Sequence, residues 1–230
     1  MRQTLAALAT CLAFATPAVA DGPVVVELYT SQGCSSCPPA DALMHQLAER
    51  SDVIPLALHV DYWDYIGWAD SFADPAYTAR QQGYARIAGA RSIYTPQMII
   101  GGEDHVIGTK PMELADSIAF HKSNPTGVDV SISRTGNRLQ ITGQTLRNLP
   151  NGTLVQLVRY TPQETVDIRR GENAGRQLSY ANIVTDWQNV GVWRGRDDLD
   201  MTVNVSGNSP IVVIVQEPGP GSVMATAVLR

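Results

Sequence analysis

The chain has 230 residues, 44% apolar and 17% charged, with a formal net charge of −5. Such a composition suits a soluble globular protein that builds a core without a framework of disulfides. The balance is acidic and no run of Lys or Arg occurs, so nucleic acid is not an expected partner.

The first residues read as a secretory signal. Arg2 supplies the positive region, Leu5 to Phe14 the apolar region, and Ala18-Val19-Ala20 a small-residue cleavage site. Residues 1–20 are therefore expected to leave, with Asp21 as the new N-terminus. The apolar run is shorter than the ~20 residues that span a bilayer, so no transmembrane segment is expected after cleavage. A lipoprotein site at Leu8-Ala9-Thr10-Cys11 is discounted, because the apolar stretch before Cys11 is only about one turn long. The expected compartment is periplasmic or secreted. Of the three cysteines, Cys11 departs with the signal, leaving Cys34 and Cys37. A bridge across so small a loop removes little unfolded-state entropy, which argues for chemistry rather than bracing.

Val24 to Tyr29 is a β-branched apolar run and reads as a buried strand. Gln32-Gly33 breaks it. Cys34-Ser35-Ser36-Cys37-Pro38-Pro39-Ala40-Asp41 follows, opening a helix to about Arg50. The two prolines remove two N–H donors and predict a shifted or tightened helix start. Val53 to Val60 is a second apolar strand. An aromatic loop comes next, Tyr62 to Trp68. It reads either as an apolar rim that binds a peptide through Tyr62 and Trp63, or as core packing by Trp63 and Trp68. Asp74 and Pro75 cap and open a polar helix to about Ala88. Pro96 to Ile100 reads as a strand, Gly101 to Asp104 as a turn, His105 to Ile107 as a returning strand, and Lys110 to Lys122 as a last helix.

After Asn124-Pro125-Thr126-Gly127 the texture becomes alternating. Strands are expected at Val128 to Ile132, Leu139 to Ile141, Leu154 to Tyr160, Thr165 to Arg169, Gln177 to Val184, Met201 to Val205 and Ile211 to Val215. Turn residues separate them, as in a sandwich or barrel-like domain. The expected division is 21–124 and 125–230. The mixed charges of Glu164 to Asn173 read as a solvated face.

A C-x-x-C can be a redox pair, half a zinc site or an incidental bridge. Pro38 stands where c-type haem attachment needs His. Structural zinc lacks two further ligands, since the four His are scattered at positions 45, 59, 105 and 121. Copper stays open, because thiolates suit Cu(I); His59 is the nearest candidate for a third ligand. No cofactor or metal is otherwise expected. A strand, a break and then C-x-x-C at a helix start places Cys34 where unpaired N–H groups favour a thiolate, with Cys37 one turn on to resolve a mixed disulfide.

With Tyr94-Thr95-Pro96 before the next strand, residues Pro23 to Lys122 resemble the thioredoxin superfamily. That resemblance implies a cis-proline at Pro96 facing the dithiol, with Thr95 free to pair with an extended partner. It also suggests Glu27 as a buried acid that shuttles the Cys37 proton; the competing reading is a strand-end Glu paired at the surface. The expected architecture is an α/β thioredoxin-like domain followed by a smaller all-β, sandwich-like domain.

A narrower resemblance covers almost the whole mature chain. Glu27 to Asp41, Val60-Asp61-Tyr62-Trp63-Asp64, Ile66-Gly67-Trp68, Tyr94-Thr95-Pro96-Gln97, Arg170-Gly171-Glu172-Asn173, Leu178-Ser179-Tyr180 and Pro218-Gly219-Pro220-Gly221 are similar to the secreted proteins of domain-of-unknown-function family 1223. It implies a bacterial exported protein and no particular substrate. The residues point to a thiol–disulfide oxidoreductase acting on thiols or disulfides of exported proteins. The alternative is a binding or assembly protein with an inert or copper-carrying pair. An accessible Cys34 beside Pro96 fits the first; a bridge covered by the aromatic loop or the β region fits the second.

Overall fold

The computed structural model describes residues 22–230; the expected signal segment lies outside them. The strand β1 (Val24–Thr30) is followed by helix α1 (Pro38–Ala48), β2 (Val53–His59), α2 (Pro75–Ile87), β3 (Gln97–Ile100), β4 (Asp104–Ile107) and α3 (Pro111–Ser123). Seven strands complete the described chain: β5 (Val128–Thr135), β6 (Arg138–Thr145), β7 (Leu154–Asp167), β8 (Gln177–Val192), β9 (Leu199–Asn204), β10 (Ile211–Gln216) and β11 (Val223–Leu229). Helix α2 starts as expected, with Asp74 accepting from the Ala76 N–H at 2.8 Å and Pro75 in the first turn.

The expected pairing of an α/β thioredoxin-like domain with a smaller all-β domain is overturned. The fold is mostly β, and eight strands form one mixed sheet in the order β11-β10-β7-β8-β2-β1-β3-β4. Only β5, β6 and β9 form a second sheet. The join is parallel, between β2 and β8, with Ala57 opposite Ile183. Alternation identifies strands but does not say which edge they extend, and here β8 extends the edge of β2.

The packing is continuous across that join. On the face carrying α2, Val25, Tyr29, Ile54, Leu56 and Leu58 share a core with Val158, Tyr160, Val212 and Ile214. The opposite face is divided. Val26, Leu28, Ala57 and Ala181 pack with Ala40, Met44 and Leu47 of α1 and with Leu114 and Ile118 of α3. Further along, Val155, Leu157, Ile211 and Val213 pack against Val128, Val130, Leu139 and Ile141 of the small sheet.

Two expected strands, Leu154 to Tyr160 and Thr165 to Arg169, are the single strand β7. Pro162 lies between the two expected runs. It is tolerated because β10 pairs with β7 only as far as Arg159, which leaves the missing N–H on an open edge. Opposite it, Asn182 takes a positive φ of 50° and donates its side-chain N–H to the Pro55 carbonyl at 2.9 Å. Strand β11 was not expected at all. Among the described residues no helix is long and apolar enough to cross a membrane.

Candidate functional site

Strand β1 delivers the chain to a tight turn. The Cys34 N–H donates to the Ser31 carbonyl at 3.1 Å, and the Cys37 N–H to the Cys34 carbonyl at 3.3 Å. Cys37 is the N-cap of α1, and Pro38 and Pro39 fill its first positions, where backbone N–H groups have no helical acceptor. The prolines therefore leave the helix start in place. They also remove donors that would otherwise face an anion there. Cys34 and Cys37 form a disulfide, with an S–S distance of 2.08 Å and Cα atoms 5.4 Å apart. Ser36 Oγ lies 3.4 Å from Cys34 Sγ.

The bridge is covered. Cys34 is 1% exposed and Cys37 is fully buried, while Ser35 and Ser36 between them are exposed. Part of the cover is the loop 168–176 between β7 and β8. Its Asn173, also buried, donates from Nδ2 to the carbonyls of both Gln32 and Cys34 at 3.0 Å. Arg176 donates to Asn173 Oδ1 at 2.8 Å and holds the amide in that orientation. At Gly171, where φ is +76°, a Cβ would stand 3.3 Å from the Trp68 Cβ. The aromatic loop packs on the same turn. A Cβ on Gly33 would stand 3.1 Å from the Ile66 side chain and 3.3 Å from the Trp63 Cβ. Trp68 Nε1 donates to Gln32 Oε1 at 2.8 Å.

The peptide bond before Pro96 is cis. Thr95 Oγ1 accepts from Trp63 Nε1 at 2.7 Å, so the aromatic loop and the Thr95-Pro96 corner are tied together. Tyr62 donates to Gln81 Oε1 at 3.2 Å. Tyr65, 80% exposed, stacks on Trp63 at 6.3 Å. Trp63, Trp68 and Thr95 thus meet around the turn that carries the disulfide.

Glu27 is not brought there. It is fully buried among groups of the α2 face, whereas α1 packs on the face of Val26 and Leu28. Its carboxylate accepts from Arg80 Nε and Nη2 at 2.8 and 2.7 Å, from the Tyr84 hydroxyl at 2.6 Å and from the Tyr29 hydroxyl at 2.8 Å. Burial raises the Tyr29 and Tyr84 phenols well above their ordinary range, and the Glu27 charge adds to this, so both stay protonated as donors.

A different set of polar groups lies on the α1 side. Asp41, a turn beyond Cys37, is buried and accepts from Thr30 Oγ1 at 2.8 Å. His59 is fully buried, with Nδ1 2.7 Å from Asp70 Oδ2, which also accepts the Gln32 N–H at 2.8 Å. The Tyr180 ring stands edge-on to His59 at 4.9 Å. Burial pushes the Asp41 carboxyl up to about 7; nearby His59 and the Thr30 hydroxyl pull against that and Asp70 supports it. Burial also raises Tyr180, and Asp41 and Asp70 add to it. His59 is therefore held by its hydrogen bond to Asp70 rather than placed at the sulfurs. Among the described residues no group of three or more His, Cys, Asp or Glu side chains is arranged to hold a metal ion.

A family model described as a protein of unknown function, DUF1223, matches residues 25–216. The chain belongs to the DUF1223 family. A crystal structure of a protein from Agrobacterium tumefaciens is similar at 34% identity, with a TM-score of 0.78, covering 93% of this chain and 96% of that one. HBP35 of Porphyromonas gingivalis shares the fold at 14% identity and a TM-score of 0.62, over 90% of this chain and 74% of its own. No curated protein gives a significant match.

Several DUF1223-like motifs converge on the disulfide. Cys34 to Asp41, Trp63 to Trp68, Thr95-Pro96, Asn173 and Tyr180 are far apart in the chain and adjacent in the fold. Reading along the sequence missed Asp41, Asp70, Asn173 and Tyr180. Asp41 was given no role beyond ending the Cys34-to-Asp41 stretch. Asn173 sat in a segment read as solvated. The available signal was their place within the family motifs.

Proposed function

We propose that this DUF1223 protein is a thiol–disulfide oxidoreductase of the bacterial periplasm or exterior, exchanging the Cys34–Cys37 bond with thiols or disulfides of exported proteins. One observation carries the reading. The bridge closes a turn that backbone hydrogen bonds already close, from Cys34 to Ser31, Cys37 to Cys34, and Ala40 and Asp41 back to Cys37. A link across so few residues removes little unfolded-state entropy, so its use is chemical. Cys34 is the sulfur that attacks or is attacked, on the side of the exposed Ser35 and Ser36. Cys37 resolves the mixed disulfide. Thr95, Pro96, Tyr62 and Trp63 lie on the partner side. Exchange requires the cover to shift, and loop 168–176 is the part that must move. The direction follows from the reduction potential against that of the compartment.

The buried state of both cysteines favours a second reading, a binding or assembly protein that keeps the bridge inert. Equilibration of the folded protein in glutathione buffers separates the two, with Cys34→Ser and Cys37→Ser alongside. Reversible titration of the pair, and mixed disulfides trapped by Cys37→Ser alone, are expected. A bridge that stays oxidised until the protein unfolds would establish the inert reading instead.

A further inference from the structure

Beneath the bridge lies a buried polar cluster that the exchange reaction as written does not use. Four elements build it. Strand β1 ends at Thr30, α1 presents Asp41, β2 ends at His59, and β8 contributes Tyr180; the segment between the aromatic loop and α2 adds Asp70. All five residues are buried, in a region where an unpaired polar atom is expensive. Yet His59 Nε2 and the Tyr180 hydroxyl have no hydrogen-bond partner. The Asp70 carboxylate accepts from His59 Nδ1, which fixes the proton on that nitrogen. In the neutral ring Nε2 is then a bare acceptor, turned away from Asp70. The cluster thus keeps one acceptor and one hydroxyl unpaired in a buried place.

Its place relative to the bridge follows from helix geometry. Cys37 has helical backbone angles, and the Asp41 N–H donates to its carbonyl at 3.1 Å. Residues four apart share one helix face, with Cβ atoms about 5–6 Å apart. Cys37 and Asp41 are both buried on that face. The other charged or titratable groups nearby are accounted for. His45, the next turn along, is 3.1 Å from the Ser179 carbonyl, and Arg176 is spent on Asn173.

We propose that this cluster is the proton store of the Cys34–Cys37 couple, with Asp41 passing the proton to and from Cys37 and with His59 and Tyr180 beside it keeping one acceptor and one hydroxyl unpaired. The proposal rests on the oxidoreductase reading and extends it. In the reductive half, a partner thiolate attacks Cys34 Sγ and forms a new S–S bond. The Cys34–Cys37 bond breaks, and its electron pair leaves on Cys37. That thiolate takes the Asp41 proton, leaving a carboxylate beside His59. The partner's second thiolate then attacks the partner sulfur of the mixed disulfide and releases Cys34, which takes a proton from solvent. The partner dithiol ends as a disulfide, and its two protons replace those consumed by Cys37 and Cys34. In reverse, the Asp41 carboxylate removes the Cys37 proton as that sulfur attacks. A carboxyl that stays protonated near neutral pH suits both directions, and burial of Asp41 provides it.

The test follows reduction of the folded protein by dithiothreitol across pH 5–9, in wild type, Asp41→Asn and Tyr180→Phe. The wild-type rate is expected to show an inflection near pH 7 beyond that of the reagent thiol. Asp41→Asn should lose the inflection and slow at least about ten-fold at pH 7; Tyr180→Phe should shift it. An infrared difference spectrum between oxidised and reduced wild type needs no variant. A protonated-carboxyl band that moves in heavy water and changes on reduction is expected. If that band does not change, or Asp41→Asn keeps the wild-type pH profile, the proton store is overturned while exchange stands. A wild-type bridge that never exchanges in the folded state overturns both.

Discussion

Strand β1 separates two buried polar clusters of opposite character. On the α2 face, Glu27 accepts four hydrogen bonds and is matched by the Arg80 guanidinium, which also reaches Gln216 at 2.9 Å and lies 3.8 Å over the Trp187 ring. On the α1 face, Asp41 accepts one side-chain bond, and two neighbouring polar atoms have no partner. Both clusters are desolvated, so burial alone does not distinguish them. Saturation does. A carboxylate whose lone pairs are occupied by fixed donors acts as a joint. One with few donors and a raised affinity for protons can change state.

The comparison breaks most sharply at Arg80. Arg80→Met leaves Glu27 buried without its cation, and a loss of about 3–5 kcal/mol is expected in urea unfolding at pH 7. A loss below about 1 kcal/mol would mean that the tyrosines alone satisfy the carboxylate. A subtler contrast concerns pH. The Asp41 pKa is higher folded than unfolded, so the folded state binds the proton more tightly. Its contribution to stability is complete below about pH 4 and is lost as pH rises to about 7, at no more than about 1.4 kcal/mol per pH unit. In Asp41→Asn this downward slope should vanish; chemical unfolding at pH 4, 5.5 and 7 measures it. Asn173→Ala removes two hydrogen bonds to the turn, at a cost of about 1–2 kcal/mol. Its larger signature should be faster reduction of the bridge by dithiothreitol, and an unchanged rate would show that the loop is not the barrier. The smallest effect is expected at Tyr65. Being exposed, its replacement by Ser should change stability by no more than about 0.5 kcal/mol.

Much of the local structure was legible. The apolar runs of β1 and β2, the Asp74-Pro75 helix start and the Thr95-Pro96 corner before β3 all follow from neighbouring residues, because caps, prolines and strand periodicity act over a few positions. What escaped was long-range. Pro162 reads as a strand break unless the end of β10 at Arg159 is known. The direction of Glu27 depends on which helix covers which face, and a run buried on both sides carries no mark of that. Asn173 reaches Cys34 across 139 residues, and no local pattern announces such a bond.

That separation also sets an order of events. The chain is made N-terminus first. The turn holding Cys34 and Cys37 therefore emerges long before residue 173 arrives to close over it. During that interval the sulfurs meet whatever oxidant, thiol or enzyme the surroundings hold. The cysteine pair is thus complete early and covered late, so an oxidant that reaches it before residue 173 has folded meets no cover.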